Sequence, residues 1–197
     1  MKYFNNRVFW RLISIFAVLD LCIVLSGCAD WESQASTIIT LLGPAIQALV
    51  AILAAFGAGV SPKVMTDFNN WALQAQTALV NIKALIASYK TAPTESQPGI
   101  LNEIQAGLSA LTTNLSPIMA SLHITDPNSQ AKFLAGVEAV TAFVASLVAL
   151  LPAVTDAVKK GDQKAELALH SKSKEAVKKF KSDFNSNTEF FGKQYTI

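Results

Sequence analysis

Two cysteines, two histidines and two arginines are all that this 197-residue chain holds of those types, and charged residues make up only 15% of it. Arg7, Arg11 and Cys22 all fall in the first 27 residues. From residue 28 onward one cysteine remains, so an internal disulfide or a thiolate metal centre cannot be built there. The absence of arginine beyond residue 11 argues against nucleic acid or a phosphate clamp, because the guanidinium fork is the preferred group for both. No GxSxG elbow, HExxH pair or phosphate-cradling glycine loop is present. His123 and His170 read as surface or capping residues. Glu103 and Glu138 could meet as a general acid and base, but both read as solvated. No Glu-x-x-His pair offers a di-iron site. The expectation is a protein that is not an enzyme and has no cofactor, no metal and no nucleic-acid partner.

What is present begins at the N-terminus. Lys2, Arg7 and Arg11 precede an apolar stretch, Leu12 to Leu25, which closes on small residues. That is the three-part layout of a secretory signal. Asp20 interrupts the stretch, at a cost of roughly 2.5 to 3.5 kcal/mol near the centre of a membrane-inserting helix. It leaves the run too short for a spanning anchor. The closing residues Leu25-Ser26-Gly27-Cys28 resemble the bacterial lipobox at every position. The resemblance implies cleavage after Gly27, a diacylglycerol thioether on Cys28 and acylation of the new terminus. It implies a lipoprotein whose membrane partner is reached through that lipid. Ala29, rather than aspartate, follows the cysteine, which by the same resemblance points to the periplasmic face of the outer membrane in a Gram-negative cell.

The organisation expected is therefore a signal at 1–27, a lipidated tether at 28–36, a helical body at 37–160, a basic helix at 161–185 and a tail at 186–197. Residues 28–197 are enough for one domain that buries about 70% of its unfolded-chain surface. Four apolar runs step by three and four. The first is Ile38, Leu42, Ala45, Leu49, Ile52 and Phe56, with Gly43-Pro44 expected to kink it or delay its start. The second is Val64, Phe68, Trp71, Ala75, Ala78, Ile82, Ile86 and Tyr89, opened by Ser61-Pro62. The third is Leu101, Ile104, Leu108, Leu111, Leu115, Ile118 and Leu122, with Pro117 bending its end. The fourth is Phe133, Val137, Val140, Val144, Leu147, Leu151, Val154 and Val158, capped by Asp126 or Asn128 and bent by Pro152. Steps averaging 3.5 residues, with short connections, predict an all-α fold. The arrangement expected is an antiparallel four-helix bundle with coiled-coil-like packing, plus a fifth, basic amphipathic helix at the C-terminus.

Charge is unevenly spread. Residues 28–158 carry four lysines against eight acids, and 159–197 carry nine lysines against five. On the fifth helix Leu169, Val177, Phe180 and Phe184 share one face, and lysines occupy the rest. Lys174, Lys178, Lys181, Phe180 and Phe184 are the expected interaction surface, as aromatic area beside concentrated charge. That surface would suit anionic lipid or an envelope protein. The bland alternative is a helix that packs on the body and leaves a solvated lysine face. Ser33 to Pro62 and Ala139 to Thr155 lack charge altogether. These segments leave three functions open: a structural or interaction module, a membrane-active protein, and a carrier of apolar ligand in a pocket opened by Pro44, Pro117 and Pro152.

Overall fold

A computed structural model describes residues 31–89, 91–113, 115–160 and 163–197. The signal segment, Cys28 and the Gly161-Asp162 start of the fifth helix lie outside the described residues, as do the side chains of Pro152, Val154, Val158 and Leu169. Among the described residues the fold is all-helical, with no strand. Five long helices are α1 (Trp31–Ala55), α2 (Pro62–Tyr89), α3 (Gln97–Thr113), α5 (Pro127–Lys160) and α6 (Gln163–Thr188). A short helix, α4 (Leu115–Ala120), follows α3. Single 3-10 turns occupy Gly57–Gly59, Glu189–Phe191 and Lys193–Tyr195.

Each boundary has a local cause. α1 is already helical at Trp31, inside the segment expected to be a tether, and no glycine or proline follows before Gly43. Pro44 sits within α1 without delaying it. The ring is on the exposed face, so the Thr40 carbonyl that loses its N–H donor stays at the surface. The Ser61 hydroxyl accepts from the Val64 N–H at 3.3 Å, which with Pro62 as first helical residue caps α2. Asp126, not Asn128, caps α5: its carboxylate accepts the Ser129 N–H at 2.8 Å and the Ser129 hydroxyl at 2.6 Å. Pro117 is exposed within α4 and has no N–H for the Thr113 carbonyl; Asn114, between α3 and α4, lies outside the described residues.

Residues 31–197 form one compact unit with its own core. α5 packs most extensively on α6, α2 on both α1 and α3, and α5 also meets α1 and α3. The core takes Ile38, Leu42, Ala45, Leu49 and Ile52 from α1, as the spacing predicts. It also takes Ile39, Ile46 and Leu53, so α1 buries a broad face rather than a narrow seam. From α2 the buried set includes Leu79, while Ala78 is half-buried. All of the third run is buried except Ile118, which is half-buried. Between α2 and α3, the Trp71 indole donates to the Leu111 carbonyl at 2.9 Å in the interior, which satisfies the buried donor.

The C-terminus also differs from expectation. The sequence suggests a weakly ordered tail from Asn185. Instead α6 runs to Thr188 and the chain then folds back. Gly192 (φ 135°, ψ 147°) makes the reversal in a backbone region open to glycine alone. Phe191, Tyr195 and Ile197 pack against the core, and Phe191 meets Phe56 edge-on at 5.6 Å. The Asn185 side-chain amide donates to the Ile197 oxygen at 3.0 Å and accepts the Ile197 N–H at 2.8 Å. Apolar area at Phe191, Tyr195 and Ile197 is what draws this segment onto the body.

Candidate interaction surfaces

The periodicity of α6 sorts its side chains into three faces. Ser173, Phe180, Phe184 and Thr188 point inward and are buried, with Ala176 and Val177 half-buried beside them. Phe180 stacks on Phe143 of α5 with ring centroids 4.2 Å apart, and Phe184 follows at 5.6 Å from Phe180. The exposed aromatic area expected at Phe180 and Phe184 is therefore absent: the two are 2% and 0% exposed. The hydrophobic effect decides this, since each ring buries 150–250 Å² in the core.

The lysines form two rows with different surroundings. Lys172 and Lys179 stand in one row with Glu175 and Asp183, at steps of three and four. Lys179 and Asp183 form an ion pair in that row. Lys174, Lys178 and Lys181 form the other row, at steps of four and three. Lys174 and Lys178 are exposed and Lys181 is half-buried. Among the described residues none of these three has an acid within ion-pairing distance. His170 lies one turn before Lys174. Its Nδ1 is buried without a hydrogen-bond partner, and burial followed by the Lys174 charge pushes its pKa below the usual histidine value.

A different surface lies on α2. Leu73 and Val80 are 64% and 67% exposed, although each is large and apolar. They belong to a second series, Leu73, Thr77, Val80, Ala84 and Ala87, with the same steps of four and three as the buried one. Sequence reasoning missed it because the inward series on the same helix is stronger. Beside it, α2 and α3 leave an open groove of about 700 Å³ lined by Ile82, Leu85, Ala106 and Gly107, with Asn81 and Glu103 also on its wall. The pocket expected between the proline bends is not where the groove lies. Glu103, Glu138 and His123 are all exposed. No group of three His, Cys, Asp or Glu residues that could hold a metal occurs among the described residues.

Two helical stretches, Ala35–Ala55 and Pro127–Leu151, are long and apolar enough to cross a membrane. Half of the first window and 39% of the second are buried within the protein. Many outward positions are small, including Ala51, Ala54 and Ala55 on α1 and Ala142, Ala145 and Ala149 on α5, beside exposed Gln47 and Glu138.

The class defined here is an all-α protein with charge concentrated on its last helix. Comparison of the chain with family models, with curated proteins and with solved structures finds no match.

Proposed function

We propose that this is a lipid-anchored protein of the bacterial cell envelope with a structural or interaction role and no catalytic activity. The carrying observation is Leu25-Ser26-Gly27-Cys28 at the end of a basic-then-apolar leader. Cys28 carries the lipid, and residues 37–160 are read as an antiparallel four-helix bundle that presents helical surface to another envelope component. In a Gram-negative cell its place is the periplasmic face of the outer membrane. The fractionation of Cys28→Ala tests the reading. The variant is expected to keep its leader and lose the lipid-modified mass of the processed chain. An unchanged mass and membrane fraction would overturn it.

A second reading is favoured by the long apolar stretches within α1 and α5. In it the stretches around Leu42–Val60 and Val137–Val154 enter a bilayer and perturb it. Release of an entrapped dye from vesicles by the purified protein would support this. Intact vesicles at all protein concentrations would remove it. A lipid or other apolar ligand held between helices is a third reading, for which the open groove between α2 and α3 would be a candidate pocket.

A further inference from the structure

We propose that the row Lys174, Lys178 and Lys181 docks α6 onto the anionic headgroups of the bilayer that holds the protein. The contact is electrostatic and superficial, and α6 does not insert. The inference rests on the lipid-anchored reading above.

Three structural facts support it together. First, the two lysine rows are not equivalent. Lys172 and Lys179 share their row with Glu175 and Asp183, and the Lys179–Asp183 pair is formed. Lys174, Lys178 and Lys181 have no acid at ion-pairing distance among the described residues. α1, which packs against α6, has no charged residue from Ser33 to Ala55, and Glu138 of α5, the helix packed most extensively on α6, is exposed and forms no ion pair with the row. Among the described residues the row's charge is therefore left to be met by an external anionic surface.

Second, the chemistry of the row suits a diffuse anionic surface. Lysine is a compact point charge, whereas bidentate recognition of one phosphate or carboxylate calls for arginine. The chain has no arginine after Arg11. Spaced by one helical turn each, the three ammonium groups can reach several headgroups along a line, with no need for a shaped pocket. Juxtamembrane lysines act in this way, each changing the docking equilibrium roughly fivefold near an anionic surface.

Third, the aromatic rings that would drive insertion face the other way. Phe180 and Phe184 lie in the core against Phe143. A basic helix that inserts needs an apolar face free for the acyl boundary, and α6 has committed its apolar face to the protein. Only two residues, Ala29 and Asp30, lie between Cys28 and Trp31, the first described residue of α1. Three residue steps reach at most about 10 Å at full extension. A contact too weak to recruit a free protein is then strengthened by its high effective concentration at the membrane.

The test uses the full chain in a Cys22→Ser background, with Ser182→Cys carrying a fluorescent donor. Ser182 is exposed and one turn from Lys178. The protein is reconstituted into vesicles whose lipids include an acceptor, in phosphatidylcholine alone or mixed with phosphatidylglycerol. Energy transfer is expected to rise with phosphatidylglycerol and to fall as salt shortens the Debye length from about 10 Å at 0.1 M to about 3 Å at 1 M. Lys174→Gln/Lys178→Gln/Lys181→Gln is expected to lower the docked-to-undocked ratio by roughly 100-fold. Lys172→Gln/Lys179→Gln should change it far less, and circular dichroism should be the same for both. Equal transfer in the two vesicle types, as an acidic protein partner would give, overturns the proposal. So does an equal loss from the two lysine variants. The mass of the processed chain reports the lipid on Cys28 separately, so failure of the anchor and failure of the lysine row are read by different measurements.

Discussion

The rings of Phe143 and Phe180 lie parallel, with 4.2 Å between centroids and 1° between planes, and this contact sets which side of α6 meets solvent. Phe143 is on α5 and Phe180 on α6, the pair of helices with the most extensive contact in the fold. Phe180→Ala should therefore destabilise the protein by about 3–5 kcal/mol, the usual range for emptying a buried aromatic site. Lys178→Ala, two residues away and exposed, should stay within about 0.5 kcal/mol of the parent. Chemical denaturation of the two variants measures both. Equal effects would mean that α6 is not seated by this stack.

A second prediction concerns the contact between α2 and α3. The Trp71 indole N–H donates to the Leu111 carbonyl across 40 positions of sequence. Trp71→Phe keeps an aromatic ring beside Phe68, 5.0 Å away in the parent, but removes the donor. A buried carbonyl left without this partner costs about 1–3 kcal/mol. Loss of that size in a melt, with helix content retained, is the expected outcome. A neutral result would show that water reaches the Leu111 carbonyl.

These two contacts mark the limits of what sequence alone could show. The four-and-three spacing located most described core positions on α2, α3 and α5, because burial of one helical face leaves that periodic trace, though it passed over Ala72, Leu79, Ala139 and Phe143. It could not show that Trp71 and Leu111 meet, since nothing in either local pattern refers to the other. The basic helix illustrates a subtler failure. Its phenylalanines and lysines were rightly placed on different faces, yet the aromatic face was assigned to a partner outside the chain. Its actual partner, Phe143, belongs to an inward series that the Val137–Val140–Val144 steps had skipped. The C-terminal segment was read as loose because it is polar on average. Three well-spaced side chains, Phe191, Tyr195 and Ile197, outweighed that average.

The approach of α2 to α3 gives a third prediction. A Cβ at Gly107 would stand 3.0 and 3.2 Å from side-chain atoms of Ile82, tighter than ordinary contact, whereas one at Gly99 would meet nothing within 4 Å. Both glycines are in α3, where alanine is favoured over glycine by about 1 kcal/mol in a helix interior. Gly99→Ala should show a fraction of that gain, since it lies in the first turn. Gly107→Ala should lose the gain to the displaced Ile82 side chain, and Ile82→Val should lessen that loss when combined with it. Thermal melts of the single variants and the pair provide the comparison. Additivity of the pair would show that the two residues do not press on one another.

The dependence of stability on pH separates two groups with opposite charge types. Asp126 has its pKa held below the usual aspartate value, first by the Ser129 hydroxyl and then by the Ser129 backbone N–H. A depressed acid stabilises the fold above its unfolded pKa, near 3.8, and that contribution is lost as pH falls through the folded value. His170 is depressed for another reason, burial and the nearby Lys174 charge. Between its folded pKa and the unfolded value of 6.5 the unfolded chain binds more proton than the folded one. Its effect is therefore a loss of stability as pH falls below about 6.5, levelling off once the folded histidine also protonates. Two acid limbs are expected in a plot of melting temperature against pH. His170→Leu should flatten the upper limb and leave the lower one. Asp126→Asn should do the reverse, because asparagine can still accept the Ser129 N–H at the helix start but cannot titrate. If His170→Leu leaves the upper limb intact, the buried Nδ1 is not what the proton destabilises, and the limb must come from another group.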